Sequence, residues 1–269
     1  MKLLFIGAHP ADLIDLAAGT IVNHVRAGDG IYILAMTLGL YAHQLTKKQR
    51  ENKNIKVNEL YNALAMIDSN IVVTALDYSD GISCSFDHFL DPVMDRIGII
   101  KPDVVITHHP MESHHPDHAK VGTATIEAIV QASRYMPVHS LHSVSNIFFY
   151  GYQFHPNMVK LGKSVVPPDV VVDITEVIEI KAKAFMELKT QFNTEKVVWA
   201  RLNSMEKECG RQYGFEYAET FISYQPCRTT LLPDFGDSNF QKLLRKQVGE
   251  EQIDRDIQYP EFDVVKEGL

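Results

Sequence analysis

Short apolar runs separated by helix-length segments are the feature that most limits what this chain can fold into. Four such runs occupy residues 3–7, 31–36, 71–76 and 104–106. Continuous apolar runs of this length suit strands that are buried on both faces of a sheet. Strands that alternate with helices predict right-handed crossovers and a mostly parallel sheet. We therefore expect an α/β, Rossmann-like fold with helices on both faces of the sheet.

The segments between and after these runs carry helix and strand signals. Residues 13–27, 52–67 and 86–100 are predicted helices, because they have helical spacing or end before Gly28 or Pro102. Later in the chain we predict a helix over 118–135, strands over 146–152 and 170–174, and a long helix over 175–193. The predicted organisation is one α/β domain over residues 1–230 and a charged C-terminal extension over residues 231–269.

Composition narrows the choice of partners and compartment. The formal net charge of -8 provides no basic surface for a phosphate backbone, so we expect no nucleic-acid partner and a small-molecule substrate. The three cysteines have no paired spacing, which argues against a disulfide framework and fits a reducing cytoplasm. The first apolar stretch is too short for a signal peptide and no later run could span a bilayer, so we expect no membrane association. Assembly into a homo-oligomer stays open.

Two motifs carry the residue types of a metal site. His9 and Asp12 follow the first apolar run, and His115-Pro116-Asp117-His118 follows the fourth. Imidazole and carboxylate groups at short spacing suit a three-ligand zinc site that keeps one position open for water. In a doubly wound sheet of order 3-2-1-4, strands 1 and 4 are neighbours and open a crevice at their carboxyl ends. The motifs should therefore meet at one point.

Other histidines near the second motif are weaker candidates. His108 and His109 could end the fourth strand inside the pocket, and His114 lies in the same loop, but polar loop histidines are an equally good interpretation. Asp80-Gly81 after the third strand has the sequence of a simple turn.

The motifs resemble those of the PIG-L or LmbE-like family of zinc-dependent de-N-acetylases over most of residues 1–225. The family includes enzymes that act on N-acetylglucosaminyl lipids, thiol precursors and chitobiose. The resemblance rests on Ala8-His9-Pro10-Ala11-Asp12 followed by Gly19-Thr20, on residues 107–118, on Asp173-Ile174-Thr175 before a lysine-containing helix, and on Tyr217-Ala218-Glu219-Thr220-Phe221. It implies an LmbE-like fold.

Carried over by position, the resemblance implies that His9, Asp12 and His118 bind zinc or another divalent metal such as iron or manganese. His115 would stabilise the tetrahedral intermediate, protonate the leaving amine, or both. Asp117 would orient a histidine. The general base of the family falls on Ala11, which cannot accept a proton, and Lys56 stands where the family tends to have arginine.

Three explanations of Ala11 are open. An acid at this position could have been replaced to trap a substrate, because loss of a general base costs about 10²–10⁴-fold in rate. The chain could instead belong to a branch that resembles 4-oxalomesaconate hydratase and also has Ala-Asp at this place, although the glutamate expected of such a hydratase is missing from residues 38–45. It could also be a metal-binding protein that has lost turnover.

The leading hypothesis is therefore a zinc-dependent hydrolase that removes the acetyl group of an N-acetylated amino sugar or a similar small molecule. A metal-dependent hydratase or lyase acting on a small unsaturated acid is the alternative. A non-catalytic ligand-binding protein is the third class.

Overall fold

The structure of the protein is a computed structural model that describes residues 1–41, 45–78, 80–81, 87–112, 115–137, 140–151, 167–192 and 194–225. The predicted domain boundary at 230 and the predicted extension over 231–269 lie outside these residues, as does His114. Within the described residues, no helix is both long enough and apolar enough to cross a membrane.

The predicted alternation of strands and helices is present. The strands are β1 Lys2–Gly7, β2 Gly30–Thr37, β3 Val72–Tyr78, β4 Val104–Thr107, β5 Asn146–Tyr150, β6 Val170–Asp173 and β7 Ala218–Ser223. The helices are α1 Asp12–Arg26, α2 Lys47–Glu51, α3 Ile55–Ala65, α4 Asp87–Ile100, α5 Pro116–Ala132, α6 Ile178–Met186, α7 Glu195–Ser204 and α8 Glu206–Tyr213.

The seven strands form one sheet in the order β3-β2-β1-β4-β5-β7-β6. Pairings from β3 through β5 are parallel, whereas β7 runs antiparallel to both β5 and β6. The predicted order 3-2-1-4 and the mostly parallel, Rossmann-like sheet are thus confirmed. Strand order reverses between β1 and β4, so the crevice lies at the carboxyl ends of these two strands.

Two apolar clusters cover the two faces of the sheet. One contains α1 and α6 residues such as Ile14, Ile21 and Phe185 together with Leu3 and Phe5 of β1. The other packs α4 and α5 against Leu4 and Ile6, the alternate residues of the same strand. Because successive strand residues point to opposite faces, a continuous apolar run is needed to bury both, as the sequence predicted.

The second half departs from prediction in two places. The helix expected over residues 175–193 is shorter: a 3-10 turn over Thr175–Val177 leads into α6, which ends at Met186. Beyond Met186 the chain forms turns, and the Thr190 amide and hydroxyl donate to the buried Glu59 carboxylate at 2.8 and 2.7 Å. The Tyr217–Phe221 motif, for which no element was predicted, contributes to β7 in the interior of the sheet.

Candidate functional site

Both predicted motifs lie at the crevice between β1 and β4. His9 follows β1 and Asp12 is the first residue of α1. His115 is the N-cap of α5, and His118 lies in the first turn of that helix. Because β1 and β4 pair in parallel with Phe5 opposite Ile106, the loops that follow them meet at the same edge of the sheet. The tertiary structure therefore brings the four residues together.

The Asp12 carboxylate lies at the centre of the cluster. Its Oδ2 atom lies 3.3 Å from His9 Nδ1 and 3.4 Å from His118 Nε2. The same oxygen accepts the His9 backbone N–H at 2.8 Å, so the loop between β1 and α1 fixes its orientation. Metal–ligand bonds of about 2.0–2.1 Å would place tetrahedral ligand atoms about 3.3–3.4 Å apart. The distances from Asp12 to the two histidines fit that requirement.

A buried carboxylate faces the second ring nitrogen of each of these histidines. His9 Nε2 lies 3.3 Å from Asp117 Oδ2, and His118 Nδ1 contacts Glu112 Oε2. Asp117 and Glu112 are 0% and 5% exposed. A metal-binding histidine characteristically donates its other N–H to a carboxylate, which fixes the tautomer and the ring orientation. Asp117 faces a histidine, as the family resemblance implied, whereas the sequence analysis did not single out Glu112.

His108 is a third imidazole beside Asp12. Among the described residues, two trios are compact enough for a cation, namely Asp12 with His108 and His118, and His9 with His115 and His118. However, the Ala8 backbone N–H donates to His108 Nε2 at 3.0 Å. A ring nitrogen has one lone pair, so this nitrogen cannot hold the amide and a metal together. The contact favours a positioning role for His108 and leaves His9, Asp12 and His118 as the better ligand set.

His115 lies next to this trio with a defined hydrogen-bonding state. Its Nδ1 accepts the Asp117 backbone N–H at 3.3 Å, as the cap of α5. Burial lowers the pKa of His115, and the neighbouring His9 and His118 lower it further. A neutral imidazole that accepts at Nδ1 carries its proton on Nε2. The side chain is 44% exposed, so this N–H is available to a ligand in the crevice.

The carboxylates of the cluster are suited to binding positive charge. Burial lowers the pKa of His9, but Asp12 and Asp117 outweigh burial and raise the pKa to about 9. In the same way, Asp12 and Glu112 outweigh burial and raise the pKa of His118 to about 10. Without a metal, His9 and His118 thus each hold an additional proton beside the three carboxylates. Binding of a divalent cation would release these protons.

Lys56 lies beside the first motif at one wall of the site. Ala11 packs in the same apolar cluster as Leu60 of α3, one turn after Lys56. A Cβ built on Gly39 would lie 3.2 Å from Lys56 Cδ and 3.7 Å from His9 Cβ, so the lysine stem passes beside the first motif. Lys56 is 3% exposed, and burial lowers its pKa despite the attraction of Glu59, Asp12 and Asp80.

The loop after β3 contributes more than the simple turn that its sequence indicated. Asp80 accepts the backbone N–H groups of Leu40 and Tyr41 at 2.9 Å each, and so fixes the loop after β2. The Gly81 N–H donates to Asp117 Oδ2 at 2.7 Å. Because that carboxylate also faces His9, the β3 loop is linked directly to the predicted ligands. His109 instead accepts from the Met111 N–H and packs on Phe149.

Comparison with known proteins agrees with this arrangement. Residues 4–129 match the PIG-L family model, described as GlcNAc-PI de-N-acetylase. Over 232 residues the chain is 25% identical to 1D-myo-inositol 2-acetamido-2-deoxy-alpha-D-glucopyranoside deacetylase of Mycobacterium sp. strain KMS. The alignment covers 71% of this chain and 74% of that protein.

Solved structures with the same fold include members with different activities. GalB, the 4-carboxy-2-hydroxymuconate hydratase of Pseudomonas putida KT2440, superposes with a TM-score of 0.70 at 20% identity, over 86% of this chain and 99% of that one. The N,N'-diacetylchitobiose deacetylase of Pyrococcus horikoshii gives a TM-score of 0.68 at 22% identity, over 87% of each chain. These likenesses establish an LmbE-like fold. The match over residues 4–129 confirms, for that segment, the resemblance to the PIG-L family that the two motifs predicted.

Proposed function

We propose that this protein is a metal-dependent hydrolase of the de-N-acetylase type, with His9, Asp12 and His118 as the metal ligands. The observation that carries the proposal is the arrangement of His9 and His118, each of which has one ring nitrogen near Asp12 and the other near a buried carboxylate. Zinc, or another divalent metal held there, would polarise an amide carbonyl and make water nucleophilic near neutral pH. The family match and the deacetylase relative support this reaction class.

His115 is the proposed donor to the developing oxyanion. Its Nδ1 is engaged by the α5 backbone, so its Nε2–H is the group that can donate to a carbonyl oxygen as negative charge develops on it. Such preorganised donors stabilise acyl-transfer transition states. The proton that the departing amine needs would come from the attacking water, because a neutral His115 that gave up its Nε2 proton would be left as an imidazolate. Asp117 acts through His9, whose ring it orients.

Ala11 leaves the site without the carboxylate that would accept a proton from water. Asp117 does not replace it, because this side chain is fully buried and its Oδ2 already faces the Gly81 amide and His9. Turnover by the protein with Ala11 should therefore be slow. General-base catalysis contributes about 10²–10⁴-fold in rate, which is the size of the expected deficit.

Lys56 indicates the kind of substrate to test. A buried ammonium group is costly unless it is paired, and its stem passes beside the first motif. The proposed small-molecule substrates are therefore N-acetylated amino sugars, with acidic derivatives beside neutral ones. The cytoplasmic location proposed for the reaction is the one that the cysteine content predicts.

The decisive experiment replaces Ala11 by Asp in zinc-loaded protein and measures acetate release across a panel of neutral and acidic N-acetyl amino sugars. We expect a gain of about 10²–10⁴-fold over the natural sequence for the best substrate, because the variant supplies the missing base. Ala11→Asn is the matched control, since it adds similar volume without a proton acceptor. Equal rates for Ala11→Asp and Ala11→Asn on every compound would contradict the deacetylase proposal.

A hydratase or lyase acting on a small unsaturated acid is the second candidate. Lys56 favours it, because a buried cation beside the motif suits a carboxylate substrate, and this reaction need not use an acid at position 11. Loss of conjugated absorbance from unsaturated dicarboxylic acids, without any gain in Ala11→Asp, would support this candidate. Binding of either substrate class without product formation would instead indicate a ligand-binding protein.

A further inference from the structure

A second group of buried charges lies beside α1, on elements that contribute no proposed metal ligand. It consists of Lys181 on α6, Arg201 on α7, Glu206 on α8 and Glu219 on β7, which we call the α1 clamp. Lys181 is 0% exposed, and Glu206 and Glu219 are 4% exposed. Charges buried to this degree are retained only where pairing and hydrogen bonds offset their desolvation.

The clamp holds α1 through its backbone. Glu219 accepts the N–H groups of Gly19 and Thr20 at 2.9 and 2.7 Å. Lys181 Nζ donates to the Asp15 carbonyl oxygen at 2.9 Å, and also to Glu206 and Glu219 at 2.8 and 2.6 Å. All three protons of the ammonium group are therefore used. Burial would lower the pKa of Lys181, but Glu206 and Glu219 raise it, so the lysine remains charged.

Side-chain contacts add to this backbone hold. Arg201 pairs with the Asp15 carboxylate at 2.6 Å and lies 3.7 Å from Glu206. Gly19 lets α1 approach the segment before α6, because a Cβ at this position would lie 2.6 Å from Ile174 Cγ2. The sequence elements Gly19-Thr20, Ile174 and Glu219, which carried part of the family resemblance, thus meet in one buried place away from the metal trio.

The clamp and the proposed metal centre share α1. Lys181 holds the carbonyl of Asp15, one turn from Asp12, and Asp12 is the carboxylate near which His9 and His118 converge. Ligand atoms must be held to within about 0.5 Å for a metal site to form well. A hold on the first three turns of α1 fixes where its first residue lies relative to β4 and α5.

We propose that the α1 clamp is a positioning device for the metal centre, in which Glu219 and Lys181 set the position of Asp12 by holding the α1 backbone. The inference rests on the metal-binding part of the proposed function and does not depend on which reaction is catalysed. Lys181 and Glu219 are positioning residues, since none of their hydrogen bonds reaches the metal trio.

The test compares Glu219→Gln with Glu59→Gln. Both changes are isosteric, both remove a buried carboxylate that accepts a backbone N–H, and Glu59 holds residue 190 rather than α1. Zinc affinity is measured by competition with a chromophoric chelator, and the fraction folded by urea unfolding of the metal-free proteins. Affinity measured where each protein is fully folded separates positioning from a general loss of stability.

We expect Glu219→Gln to bind zinc roughly 3- to 10-fold more weakly than Glu59→Gln, at the lower end of the range for residues that orient ligands. Arg201 lies at the partly exposed edge of the clamp, and Arg201→Gln should weaken zinc binding about 2- to 3-fold. This variant provides the test if Glu219→Gln does not fold. Affinities of the folded clamp variants equal to that of Glu59→Gln would overturn the clamp proposal alone. Absence of zinc binding by the natural sequence would overturn both proposals.

Discussion

The proposed metal centre and the α1 clamp are both groups of buried charges, but they use their polar groups in different ways. In the clamp, Lys181 donates all its protons to oxygens of the protein, and positive side chains offset negative ones. In the metal centre, three carboxylates surround imidazoles whose nitrogens converge on Asp12. A cluster whose carboxylates are paired with permanent cations and with backbone N–H groups fixes the backbone, whereas a cluster whose carboxylate faces imidazole nitrogens is suited to take up a cation.

The two clusters should also control different properties, namely folding stability for the clamp and metal affinity for the metal centre. Loss of a clamp residue leaves buried charges without partners, so folding stability should suffer first. Loss of a metal-centre residue removes a ligand from a partly exposed crevice, so metal affinity should suffer first. The following predictions test this division.

The largest effect is expected for the His9→Ala, His118→Ala double variant. Zinc affinity should fall by more than about 10³-fold, because two of the three proposed ligands are removed. Metal content after dialysis and chelator competition measure the effect. The matched control is His24→Ala, His142→Ala, in which the changed side chains bond to Asp29 and to the Pro102 carbonyl instead. Equal zinc content in the two double variants would contradict the proposal that His9 and His118 bind a metal.

Lys181→Met tests the clamp as a source of stability. Removing the ammonium leaves Glu206 and Glu219 buried without their main partner, and breaking a buried pair in this way costs about 3–5 kcal/mol. Urea unfolding of metal-free protein measures the change in the free energy of unfolding. Lys189→Met is the control, because Lys189 is 68% exposed and its pair with Glu187 should contribute less than about 1 kcal/mol. Similar losses in both variants would count against the division.

Glu112→Gln is expected to have the smallest effect of the three and bears on the metal centre alone. The change retains the shape of the side chain but removes the charge that faces His118 Nδ1. Zinc affinity should fall about 10–100-fold. Glu127→Gln on the exposed side of α5 is the control. Unchanged affinity in Glu112→Gln would show that this carboxylate does not support His118.

Local spacing determined much of the fold and the candidate site. The apolar runs located β1 to β4, and the connection of strands through helices predicted the order 3-2-1-4 that places His9 beside His118. Both motifs lie within a few residues of a strand end, so sheet topology alone was sufficient to bring them together. Asp12 could be named for the same reason, whereas the roles of Ala11 and Asp117 were implied by the family resemblance.

Tertiary structure decided the contacts that join distant segments. The sequence could not reveal that Asp80 fixes the loop at Leu40, or that Glu219 bonds to the α1 backbone 200 residues earlier. It also could not show that Thr190 donates to Glu59 on another helix. Hydrogen-bond partners across such separations are chosen by packing, whereas strand and helix patterns are written in neighbouring residues.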